Sequence, residues 1–146
     1  MPPLDLQAQA GVGRAIVTGS FMGTGLYVVV AVLATVAPDG FGALLAAVAL
    51  ALFAAGVAAF LWSYAIAVGR SRVDAIGIGG LYFLSGSAPR AVRLRLLGAL
   101  ALEVVVAVAT ASIRPFTALA FGVLVPVFGL GLTGLWGARH GLFPPR

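Results

Sequence analysis

Four apolar stretches, each long enough to cross a bilayer as a helix, dominate the sequence: roughly residues 15–37, 41–68, 94–113 and 116–136. A membrane-crossing helix needs about 20 predominantly apolar residues to traverse about 30 Å of hydrocarbon. The expected fold class is therefore an all-α integral membrane protein with four transmembrane helices, forming one domain over residues 1–146. Composition removes the competing classes. Residues of the set AVILMFWYC make up 62% of the chain and charged residues 9%, whereas soluble domains average about 25% charged. Disorder is excluded as well, because it needs low hydrophobicity and high charge.

The second stretch has 28 residues, roughly 42 Å at the helical rise, so it should tilt or extend past the bilayer. Pro38-Asp39-Gly40 reads as the turn before it. The first stretch is longer than the 7–15-residue core of a secretory signal. Pro38 would also directly follow the scissile bond after Thr35-Val36-Ala37, so the segment reads as a retained anchor.

Arginine placement gives an orientation. Arg14 precedes the first span; Arg70, Arg72, Arg90, Arg93 and Arg95 lie between the second and third; Arg139 and Arg146 follow the fourth. Only Arg114 lies on the opposite side, where the first turn carries Asp39. Both termini are expected on the cytoplasmic side of a bacterial inner membrane. Trp62, Tyr64 and Trp136 fall at the inner helix ends, where aromatic rings favour the headgroup level. The Ala/Gly/Val/Arg-rich usage resembles that of a high-GC bacterial genome.

The connection 69–93 is the one long loop. Its apolar part, Ala75 to Leu84, is too short to span, and Gly77, Gly79 and Gly80 argue against a regular helix there. An interfacial or re-entrant segment is expected, anchored by Tyr82 and Phe83.

Absences limit the chemistry. Without Cys there is no thiolate nucleophile or zinc–thiolate site, and without Lys no Schiff base or phosphate-loop lysine. The single histidine, His140, lies near the C-terminus without a catalytic companion. No catalytic constellation, cofactor site or metal site is expected, and the chain does not read as an enzyme.

Glu103 is the one carboxylate inside a span. A charge at that depth costs at least about 2.5–3.5 kcal/mol on insertion scales, so it should be protonated, paired or turned toward protein. A proton or cation relay, an acidic contact for a partner, and polar glue between helices all fit. Arg95 and Arg114 are about 12 and 17 Å away along the helix, which favours a structural or partner contact over a relay. Glu103 and Arg114 are the expected polar intramembrane contacts.

Small residues recur every fourth position in the second span, including Ala47, Ala51 and Ala55, and Gly19 and Gly23 carry the GxxxG spacing in the first. Both permit close helix approach, for internal packing ahead of an oligomer face. Pro126 removes a backbone bond to Gly122 and should kink the fourth span. Beyond it, the run from Gly129 to Gly134 matches GxGxxG, but it lacks the preceding strand and following acid of a nucleotide site. These glycines read as a packing surface or a flexible inner half. The five arginines Arg70, Arg72, Arg90, Arg93 and Arg95 follow the positive-inside rule, and they also suit anionic lipid headgroups at about 1 kcal/mol each or an acidic cytoplasmic partner. Nucleic acid is not an expected partner, since no aromatic platform accompanies them.

The run from Ile78 to Leu84 with Ser87-Ala88-Pro89, together with Arg114-Pro115-Phe116-Thr117, Phe121-Gly122 and Gly134-Leu135-Trp136, resembles small four-span membrane proteins of actinobacteria. Some of these accompany Mce-type lipid transporters as accessory subunits. The resemblance implies a non-enzymatic accessory or scaffolding subunit of a larger membrane complex, handling lipid or envelope precursors. The competing expectation, from the residues alone, is a small homo-oligomeric transporter or channel using Glu103.

Overall fold

In the computed structural model, which describes residues 13–146, the main elements are helices: α1 (Arg14–Val36), α2 (Pro38–Arg70), α3 (Ile78–Tyr82), α4 (Arg90–Ile113), a 3-10 segment (Ala118–Leu124) and α5 (Pro126–His140). Helices satisfy their own backbone groups, the condition for crossing hydrocarbon. Four segments are long and apolar enough to cross: α1, α2, α4, and the 3-10 segment joined to α5. The chain is thus a multi-pass helical membrane protein, with span boundaries within a few residues of those expected. At 33 residues α2 is about 50 Å long, well beyond a bilayer core.

The reversal between α1 and α2 is tighter than the Pro-Asp-Gly signal suggested. Those three residues form the first turn of α2, and Ala37 alone breaks the helix (φ −132°, ψ 72°). Proline suits a first helical position because its missing N–H would have had no partner there, and Asp39 in that turn complements the helix dipole.

The helices pack as a square. α1 lies beside α2 and α4, α5 also lies beside α2 and α4, and α2 faces α4 across the diagonal. The buried face of α2 is Gly42, Leu45, Ala49, Gly56, Ser63 and Ala67. Gly42, Ala49, Gly56 and Ser63 recur every seven residues, the repeat that holds one helix face against a neighbour. The every-fourth-residue stripe is not that face. It turns by about 40° per step, so Ala47, Ala51 and Ala55 point outward and only Ser63 and Ala67 reach the interior. In α1, a Cβ on Gly23 would strike the Phe128 ring of α5, whereas Gly19 has nothing within 4 Å. The GxxxG pair is therefore split, one glycine in an internal contact and the other open.

Pro126 does interrupt the fourth span. It opens α5 at the first position, and the carbonyl of Gly122 instead accepts the N–H of Val125 at 3.0 Å, closing a 3-10 turn. The three glycines of the GxGxxG-like run, and Gly137 after it, each pack against another helix. A Cβ on Gly129 would strike the Glu103 carboxyl, on Gly131 the Gly56 carbonyl, on Gly134 the Tyr82 ring, and on Gly137 the Leu81 carbonyl. The run is a packing surface.

The connection between α2 and α4 is folded onto the bundle. α3 is a short helix despite Gly79 and Gly80, and it packs against α5. Tyr82 is buried and stacks on Phe60 with ring centroids 5.0 Å apart, so it does not serve as an outward anchor; Phe83 stays exposed. The C-terminal tail clamps this connection: Ala75 N–H donates to Pro144 O, Arg146 N–H to Val73 O and Leu142 N–H to Ser87 O, at 2.8–3.0 Å. Of the three belt aromatics, Trp62 and Tyr64 are exposed. Trp136 is fully buried with Val17, Leu84, Val92 and Leu96, because its side of α5 faces α1 and α4.

Arg70 holds α2 to the end of α5. Its guanidinium donates to the carbonyls of Ala138 (2.9 Å) and Gly141 (3.0 Å), pairs with Asp74 at 2.8 Å and lies 5.3 Å from the Phe143 ring centroid. The carbonyl end of a helix carries partial negative charge, which a cation stabilises. Arg70→Gln should lower the unfolding free energy in detergent by about 1–2 kcal/mol. A melting profile unchanged from wild type would remove this role.

Candidate functional site: an intramembrane carboxyl at a broken helix

Glu103 lies midway along α4, on the face with Ala99, Ala107 and Thr110, and none of its surface is exposed. Its carboxyl projects into the centre of the square, where three helices meet. Thr24 of α1 donates its hydroxyl to Oε1 at 2.6 Å, and Gly129 of α5 donates its backbone N–H to Oε2 at 3.1 Å. Gly129 is the fourth residue of α5, at the positive end of the helix dipole, and the Val125 carbonyl four residues back accepts from the Phe128 N–H at 2.8 Å instead. The break at Pro126 therefore places a helix start inside the apolar zone, and Glu103 supplies the acceptor that this start requires.

Glycine at position 129 is what lets α5 come this close, since any side chain there would enter the space of Oε2. Thr133, one turn on, returns its hydroxyl to the Gly129 carbonyl at 2.8 Å. The carboxyl thus joins α1, α4 and α5 through one group. Sequence alone marked Glu103 as unusual and Gly129 as a packing residue. Thr24 went unnoticed, because one of several hydroxyl residues in an apolar span carries no signal until its helix face is known.

Two further buried hydroxyls lie on the Thr24 face of α1. Ser20 is one turn before it and Tyr27 is one turn after. Among the described residues Ser20 Oγ has no hydrogen-bond partner, and Tyr27 Oη, beside Thr110 and over Gly122, has none of good geometry. The three positions span about 10 Å along the helix.

The other expected site residues separate into distinct places. Arg114 is exposed at the end of α4 and donates to the Thr35 carbonyl at the end of α1 (3.4 Å), so the structure does not bring it to Glu103. Arg70 is committed to α5 as described. Arg72, Arg90, Arg93 and Arg95 are exposed, and Arg93 Nε also donates to the Phe83 carbonyl at 3.2 Å. Among the described residues no group of three or more His, Cys, Asp or Glu side chains is placed to hold a metal ion.

Comparison with protein-family models, with curated proteins and with solved structures gives no match for this chain, so its function is read from its own residues.

Proposed function

We propose that the protein is a non-enzymatic scaffolding subunit of a larger membrane complex, of the kind that handles lipids or envelope precursors. The observation that carries this reading is the use made of Glu103. The one carboxylate within the spans is enclosed by α1, α4 and α5 with both oxygens accepting hydrogen bonds, so it holds the bundle together instead of lining a path or a reaction centre. The outward residues are apolar along the spans and arginine at one end, a surface suited to lipids and to other helices. Extraction in a mild detergent followed by identification of co-purifying membrane proteins tests this directly. Reproducible co-purification of the same partner supports it; recovery of a lone monodisperse species from several gentle detergents overturns it.

A second reading, a small proton- or cation-conducting transporter, is favoured by one feature. The Ser20–Thr24–Tyr27 hydroxyls line up beside a carboxyl that faces a broken helix, and transporters use discontinuous helices at such sites. Flux in proteoliposomes that is abolished by Glu103→Gln would establish this alternative. No flux from either form would remove it.

The proposed setting is a bacterial plasma membrane with both termini in the cytoplasm, supported by eight of nine arginines falling on one side of the four spans. A tag at either terminus should resist protease added outside intact cells. Cleavage there would reverse the orientation.

A further inference from the structure

The arginines expected at the headgroup level do not form one undivided patch. Arg70 is spent on α5, whereas Arg90, Arg93 and Arg95 lie exposed at the start of α4 beside two hollows. The first, about 680 Å³, is lined by Arg90 and Arg93 together with Leu84, Pro89 and Leu94. The second, about 450 Å³, runs between α1 and α4 and is lined by Arg95, Leu94, Phe21, Gly25, Gly98 and Leu102. Leu94 borders both. From Arg95 to Leu102 the groove follows α4 for about 10 Å. A Cβ at Gly25 or Gly98 would meet nothing within 4 Å, so the floor is open at both positions. Among the described residues no acidic side chain lines either hollow. By contrast, the apolar cleft of about 570 Å³ between α2 and α3 has no charged lining residue.

We propose that this face of α1 and α4 binds an anionic phospholipid, with the phosphate among Arg90, Arg93 and Arg95 and part of an acyl chain in the groove floored by Gly25 and Gly98. Charge complementarity identifies the head: three exposed guanidiniums at the start of α4, with no carboxylate lining either hollow among the described residues, match a phosphate group that carries net negative charge. The apolar groove continuing along α4 identifies the tail. The inference deepens the lipid-facing part of the reading above, but it does not depend on a protein partner, so failure of co-purification leaves it standing.

The test is native mass spectrometry of the full chain in detergent, titrated with dioleoyl phosphatidylglycerol or dioleoyl phosphatidylcholine. The wild type should retain phosphatidylglycerol preferentially. Each arginine replaced by glutamine should weaken that binding about fivefold, and the triple variant about a hundredfold. Arg72→Gln should leave it unchanged. Gly98→Leu fills the groove without an internal clash, and should reduce retention of the dioleoyl lipid severalfold while sparing dihexanoyl phosphatidylglycerol. The Arg90→Gln/Arg95→Gln pair breaks no side-chain hydrogen bond among the described residues, so a loss there is a loss of binding and not of fold. Equal retention of the two headgroups by wild type, or undiminished phosphatidylglycerol binding by the triple or Gly98→Leu variant, overturns the proposal.

Discussion

Gly56→Leu is expected to prevent α2 and α5 from closing against each other, at a cost of about 3 kcal/mol or more. A Cβ at position 56 would lie 2.5 Å from the Phe128 nitrogen and 2.6 Å from its Cα. These are backbone atoms at the start of α5, which cannot swing aside as a flexible side chain would. The contact is reciprocal, because Gly131 in turn packs on the Gly56 carbonyl. Glycine is about 1 kcal/mol worse than alanine in a helix interior, so propensity alone would favour the replacement, and any destabilisation reports the close approach. Gly69→Leu supplies the control, since a Cβ there meets nothing within 4 Å. Thermal unfolding followed by size exclusion should show a large loss for Gly56→Leu and little change for Gly69→Leu. Matching profiles for the two would refute the α2–α5 crossing described here.

The second large effect concerns the carboxyl. Glu103→Met keeps the length of the side chain but removes both acceptors, leaving the Thr24 hydroxyl and the Gly129 N–H without their partner. A buried orphaned donor costs about 1–3 kcal/mol, whereas interhelical hydrogen bonds in membranes average about 0.6 kcal/mol because alternatives are found nearby. Together these place the loss at about 1–3 kcal/mol. Glu103→Gln keeps one acceptor oxygen and should fall between wild type and methionine. The sharper measurement is a double-mutant cycle with Thr24→Val. Residues sharing one hydrogen bond are non-additive, so the double variant should lose less than the two single losses combined. Strict additivity would mean that Thr24 and Glu103 do not act together.

Several features of this arrangement were legible in the residues and several were not. Hydropathy marked the four spans, and scarcity of charge marked Glu103. Pro126 announced a break in the fourth span, but its consequence, a helix start facing Glu103, required knowing that α4 and α5 are neighbours. Trp136 and Trp62 are chemically alike and were both placed at the headgroup level, yet one is enclosed and the other exposed. Arg70 and Arg72 are two residues apart in one basic run, and only Arg70 lies where the carbonyls of Ala138 and Gly141 can be reached. The four-residue alanine stripe was conspicuous in α2, while the seven-residue set Gly42, Ala49, Gly56 and Ser63 that packs was hidden among equally small neighbours.

The amino-acid sequence by itself determined that this chain enters a membrane, how many times it can cross and which residue is out of place there. Each of those follows from a local sum, the cost of moving about 20 side chains from water into hydrocarbon. Only the tertiary structure decided which faces of the helices meet, and therefore what Glu103, Arg70 and Trp136 do. The physical reason is that lipid tails are as apolar as leucine. A lipid-facing side of a helix and a protein-facing side carry the same hydrophobic residues, so no amphipathic pattern tells them apart, and fit between backbones at glycines such as 56, 129 and 131 makes the choice.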